Sequence, residues 1–218
     1  MLKKNFSLLA LRPAVLALAL LGLSPWASAL TTRYHAEINT AGLGANGASG
    51  WLDVQFNPGN SPTLAATVRL DHFQGQFGGG YVAEGFVSGS LSEGFVLSNA
   101  GSYNDLFHSL TLGGKLSFDI SFDGPLLQGE GTVGSSFAVG LMAADQQTYL
   151  GNPNGDLFRI ELMPKLLSAP ATIEPTMLAG DVVSLTSAVP EPASYLLLVT
   201  GLGLMGALVG RRSAAQRA

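Results

Sequence analysis

The 218-residue chain contains no cysteine. That excludes a disulfide framework, thiol nucleophiles, cysteine-ligated metal centres and a lipidated cysteine as membrane anchor. Charge is also scarce, with Asp, Glu, Lys and Arg together making 12% of the residues. Histidine occurs three times, at His35, His72 and His108, with no His-x-x-x-His or His-Glu-x-x-His pair among them. No metal site is therefore encoded locally. His72 follows Asp71 and His108 lies three residues after Asp105; each histidine reads as a surface or half-buried strand residue. No serine stands in a Gly-x-Ser-x-Gly elbow. With none of these signatures present, the expectation is that the protein is not an enzyme.

The two ends carry what the middle lacks. Lys3, Lys4 and Arg12 form a basic n-region, Ala14–Leu23 an apolar h-region, and Ala27-Ser28-Ala29 a small-x-small cleavage site. Together they read as a secretory signal peptide over 1–29, removed by signal peptidase. At the other end an uncharged stretch of 18 residues, 193–210, stops at Arg211-Arg212. As a helix it measures about 27 Å, enough to cross a bilayer. The basic tail, 211–218, stays inside by the positive-inside rule, so the domain between the two ends faces outward. Gly201 to Gly206 matches G-x-G-x-x-G, but the chain ends 12 residues later. A dinucleotide fold has no room to follow.

Val189-Pro190-Glu191-Pro192, the apolar span and the Arg-Arg stop together resemble the PEP-CTERM sorting segment of Gram-negative bacteria that make extracellular polysaccharide. The resemblance implies recognition by an exosortase, a membrane transpeptidase-like enzyme, and removal of the tail near the Pro-Glu-Pro element. The implied route runs from the inner membrane, with the domain periplasmic, to the cell surface or the extracellular space. This segment, 188–218, is a sorting label and does not identify the activity of what it carries.

Between the ends lies one domain, 30–187. It holds five basic residues against fourteen acidic ones, a net charge of −9. A domain this acidic is ill suited to a phosphate backbone, so nucleic acid is not an expected partner. Its patterning is β: Leu52, Val54 and Phe56 alternate with Asp53 and Gln55, and Leu116, Phe118, Ile120 and Phe122 alternate with Ser117, Asp119, Ser121 and Asp123. Leu106–Leu112 precedes that second strand across Gly113-Gly114, which predicts a hairpin turn. Further strands are expected at Phe137–Met142, Phe158–Leu162 and Asp181–Thr186. Gly75–Gly80 and Pro164–Pro175 read as loop and extended segment, and 140–148 can hold a short helical turn. Glu84-Gly85-Phe86-Val87 echoes Glu93-Gly94-Phe95-Val96, which predicts two adjacent strands. Eight to ten short strands with Gly/Asn/Pro turns predict an all-β fold, a single jelly-roll-like β-sandwich, flanked by the signal peptide and the C-terminal transmembrane helix. The segments WLDVQFNPG, YNDLFHSLTLG and LSFDISFDGP also resemble a recurring group of PEP-CTERM proteins with no assigned activity.

The candidate binding residues follow from side-chain chemistry. Trp51, Tyr81, Tyr103 and Tyr149 each join an apolar ring to a polar handle, as glycan contacts require. Asp145, Asn152, Asn154 and Asp156 lie in an oxygen-rich loop that could hold calcium, although it lacks EF-hand spacing; no other cofactor is expected. Asp119 and Asp123, four residues apart on one strand face, stand about 13 Å apart. They cannot hold one ion without help from another strand. The leading expectation is a structural protein of the cell surface or of an exopolysaccharide and biofilm matrix. The alternative is a carbohydrate-binding module that recognises the secreted polysaccharide, with or without the help of calcium. A carboxylate-based hydrolase comes third.

Overall fold

The computed structural model describes residues 32–60, 62–187 and 201. The signal segment 1–29, the motif 189–192, the span 193–210 (Gly201 apart) and the basic tail 211–218 lie outside the described residues. Among the described residues no helix is long and apolar enough to cross a membrane.

Twelve strands form two sheets among the described residues. In chain order they are β1 (Arg33–Asn39), β2 (Ser49–Pro58), β3 (Thr67–Gln74), β4 (Phe77–Glu84), β5 (Val87–Ser90), β6 (Gly94–Ser98), β7 (Asp105–Thr111), β8 (Lys115–Asp123), β9 (Ser135–Ala143), β10 (Asp156–Met163), β11 (Thr172–Met177) and β12 (Val183–Ser187). The first sheet runs β12-β1-β8-β3-β6-β5 and the second β11-β10-β9-β2-β7-β4. Every named pairing is antiparallel. The all-β sandwich expected from the alternation is present, with more strands than the eight to ten expected.

Period-two patterning does the sorting. Leu52, Val54 and Phe56 of β2 point inward against Phe118, Ile120 and Phe122 of β8, and all belong to one buried core. Phe56, Phe95, Phe118, Phe137 and Phe158 are fully buried; each contributes about 1.5–3 kcal/mol by leaving water. Phe122 ties the sheets together, meeting Phe56 at 6.3 Å and Phe137 edge-on at 5.6 Å.

Three local expectations are corrected. Gly113-Gly114 joins β7 and β8, which belong to different sheets, so the link is a crossover corner and not a hairpin. Buried Thr40 supplies the polar partners that strand pairing would have supplied: its hydroxyl accepts from the Gly113 and Gly114 N–H groups at 2.9 and 3.2 Å and donates to the Gly114 carbonyl at 2.7 Å. Second, the loop expected over Gly75–Gly80 gives way to β4 from Phe77 onward. Only Gly75 makes the turn, with φ +107° and no room for a Cβ, which would stand 2.6 Å from the Lys115 carbonyl oxygen. Third, 140–148 holds no helical turn: β9 runs to Ala143 and a turn with bends follows. The Glu-Gly-Phe-Val echo does mark adjacent strands, for β5 pairs with β6. Pro175, in the segment read as extended, sits in β11 at a sheet edge, where a missing N–H is tolerated.

Candidate functional site

The outer face of the second sheet gathers polar and aromatic groups from β2, β7, β9 and β10. Because Leu52, Val54 and Phe56 face the core, Trp51, Asp53, Gln55 and Asn57 must face out. On β7 the outward positions are Asp105, Phe107 and Ser109. Register places Phe107 opposite Asp53 and Asp105 opposite Gln55, so Asp53 and Asp105 are diagonal neighbours, within reach of each other. Trp51 stacks on Phe107, their ring centroids 5.1 Å apart and their planes 6° from parallel.

Asp53 is buried and Asp105 partly so. Gln55 Nε2 donates to both Asp53 oxygens at 3.2 Å. Among the described residues, Asp105 Oδ1 is buried with no hydrogen-bond partner. The pair explains this orphan oxygen: two ionised carboxylates only repel, whereas one proton held between them turns one acid into a donor. Burial pushes both acids up. For Asp105, burial, the hydrogen bond to Asp53 and the charge of Asp53 outweigh the Tyr103 hydroxyl and carry it to about 7. Tyr103 is itself raised to about 12, by burial first and then by the charges of Asp105 and Asp53. Tyr149 is raised by burial and by Asp53 and Asp156.

Two loops hold these tyrosines over the face. Tyr103 precedes Asn104, a buried residue whose Nδ2 donates to the carbonyls of Phe56 (3.0 Å) and Gly101 (3.2 Å) and whose backbone N–H donates to Asn57 Oδ1 at 2.7 Å. Tyr149 is returned across β9 by a tight turn that Asp145 closes. The Asp145 carboxylate accepts from the N–H groups of Gln147 (3.0 Å) and Thr148 (2.9 Å) and from the Thr148 hydroxyl (2.6 Å). These bonds lower its pKa. Tyr149 then borders a groove of about 340 Å³ with Gln55, Asn57, Ser136, Asp156 and Arg159. The combination of flat apolar rings, amide donors and carboxylate acceptors matches the alternating faces and hydroxyls of a sugar.

Of the four aromatic candidates, Trp51, Tyr103 and Tyr149 share this face and Tyr81 does not. Tyr81 pairs with β7 opposite His108 and lies 5.8 Å from that imidazole, nearly parallel to it, on the inner side at the sandwich edge. His108, expected at or near the surface, is buried among Phe77, Tyr81 and Phe95 and donates from Nδ1 to the Ser109 carbonyl. The oxygen-rich loop does not form one cradle. Asp145 serves its own turn, Asn152 bonds the Asp156 carbonyl and the Asn154 N–H, and the Asp156 carboxylate pairs with Arg159. Sequence reading missed Asp53, Asp105, Gln55 and Phe107 as a site. The outward position of Asp53 and Gln55 was legible in the alternation, but the proximity of Asp53 to Asp105 depends on register. His35 and His72, far apart in sequence, meet Asp71 and Asp119 on the outer face of the first sheet.

Residues 188–213 match the family model described as the PEP-CTERM protein-sorting motif. No curated protein and no solved structure matches the chain.

Proposed function

Because the chain ends in a PEP-CTERM sorting motif, which supports an exosortase-sorted extracellular or cell-surface protein, we propose that it is a non-catalytic surface or matrix protein that holds extracellular polysaccharide. The holding surface is the outer face of the second sheet. In this reading signal peptidase cuts after Ala29, the span 193–210 parks the domain on the periplasmic side of the inner membrane, and an exosortase acts near Pro190-Glu191-Pro192. The released body is the β-sandwich domain 30–187. One observation carries the binding role: Trp51, Tyr103 and Tyr149, from three separate chain segments, converge on one sheet face around Asp53, Asp105 and Gln55.

Retention of the full chain on beads coated with the producing cell's polysaccharide tests the proposal. Retention weakened at least tenfold by Tyr103→Ala and Tyr149→Ala, and unchanged by Thr186→Ala on the exposed edge strand β12 of the other sheet, supports it. No retention, or retention indifferent to both tyrosines, refutes it.

A further inference from the structure

The first sheet carries a second polar cluster, on its own outer face. Three adjacent strands bring it together: β1 sets His35 opposite Asp119 of β8, and β3 sets Asp71 opposite the same Asp119. The fourth member arrives by a departure from strand geometry. After Leu70 (in) and Asp71 (out), strict alternation would send His72 into the core. The β3–β8 register instead shifts between Asp71 and Gln74, and His72 adopts φ +53°. This bulge returns the imidazole to the outer face and drops Phe73 inward against Phe77, Phe95 and Phe118.

The hydrogen bonds then divide the carboxylate oxygens by role. Asp71 Oδ2 accepts from Arg69 Nε at 3.0 Å, and Asp119 Oδ1 faces His35 Nδ1 at 2.6 Å. Each acid turns its remaining oxygen to one atom, His72 Nδ1, at 2.9 Å from Asp71 Oδ1 and 3.1 Å from Asp119 Oδ2. Arg69 is itself fixed by the Glu93 carbonyl. Three donor atoms thus converge, and the two carboxylates are held from behind, which is how a metal's outer partners orient its ligands.

We propose that Asp71, His72 and Asp119 bind a divalent transition ion of the zinc type, with Arg69 and His35 as the orienting partners. The ligand atoms of these three residues all lie within 4.8 Å of one another. A tetrahedral ion with bonds near 2.0–2.1 Å sets its ligands about 3.3 Å apart. The two separations to His72 already fall a few tenths of an ångström short of that, and rotation of the exposed side chains closes the widest gap. An imidazole nitrogen with two carboxylates selects zinc-like ions over calcium or magnesium, which prefer all-oxygen sets. The two negative charges match the ion's two positive ones. Binding displaces the Nδ1 proton that otherwise bridges the two acids, and that proton leaves to solvent or moves to Nε2.

The test is calorimetric titration of the full chain, in detergent and without a polyhistidine tag, with Zn²⁺ and separately with Ca²⁺. Visible absorption with Co²⁺ reads the geometry. His72→Asn preserves the backbone, because asparagine tolerates a positive φ; Asp119→Asn replaces an anionic ligand with a neutral amide; Asp145→Asn controls for a remote acid. The expected result is one equivalent of Zn²⁺, weakened at least tenfold by either ligand variant and unchanged by Asp145→Asn. Failure to take up Zn²⁺, equal binding by His72→Asn, or Ca²⁺ binding as tight as Zn²⁺ would each overturn the proposal.

Discussion

Asp53 and Asp105 lie diagonally across β2 and β7, and among the described residues the buried Oδ1 of Asp105 has no hydrogen-bond partner unless the pair holds a proton. Asp105 ionises near 3.8 when unfolded and near 7 when folded. Between those values the folded chain binds more protons, so stability is greatest on the acid side and falls as pH rises towards 7. A shift of this size corresponds to about 4 kcal/mol in full. Asp105 is only part-buried, and screening by water leaves on the order of 1–2 kcal/mol. Urea unfolding at pH 5 and pH 8 should show that loss, and Asp105→Asn should remove most of it. Stability that rises from pH 5 to pH 8 would contradict the shared proton.

The corner between β7 and β8 rests on Thr40. Thr40→Val keeps the shape but leaves the N–H groups of Gly113 and Gly114 and the Gly114 carbonyl without their hydroxyl partner. The expected cost is about 1–3 kcal/mol in equilibrium unfolding. An unchanged midpoint would mean that the corner finds other partners.

Phe137 is fully buried between Phe122 and Phe158. Phe137→Ala should cost about 3–5 kcal/mol, chiefly through the cavity it leaves. A loss below about 1 kcal/mol would show that the sheets repack freely.

His72 strains the backbone to place its ring. An L residue in the left-handed region pays about 1–2 kcal/mol, whereas its contacts with Asp71 and Asp119 are solvent-exposed and worth little. His72→Gly should therefore raise metal-free stability by about 0.5–1 kcal/mol. A destabilisation larger than that would mean the imidazole holds the bulge.

The sorting motif makes a prediction about mass. In cells that keep the membrane sorting enzyme the mature protein should lack most of the segment after Pro190-Glu191-Pro192; in cells without it the segment should remain. Intact-mass measurement of the native protein distinguishes these, and equal masses would contradict processing.

What was legible in the sequence was whatever depends on one strand at a time. The alternation in β2 and β8 identified Phe56, Phe118 and Phe122 as core and Asp53 and Asp119 as outward. What depends on which strands become neighbours was not legible. Gly113-Gly114 has hairpin composition, yet nothing in the chain says that β7 and β8 pair with other partners. Tyr81 and Tyr103 look equivalent as residues, but the inner and outer faces of the second sheet separate them. His72 was hidden twice, once by a bulge that breaks the period of two and once by partners on β8. The surplus of carboxylates was visible, while the meeting of Asp53 with Asp105 required register.

Trp51 offers the most direct reading of the proposed binding face. The chain has two tryptophans, Trp26 and Trp51, so Trp26→Phe leaves Trp51, stacked on Phe107, as the single tryptophan, read by excitation at wavelengths the tyrosines do not absorb. Titration of that full-length variant with the producing cell's polysaccharide should change Trp51 emission saturably, and Tyr103→Ala with Tyr149→Ala should weaken the half-saturation point at least tenfold. Emission that stays constant across the titration, or a midpoint indifferent to the two tyrosines, would contradict recognition by this face.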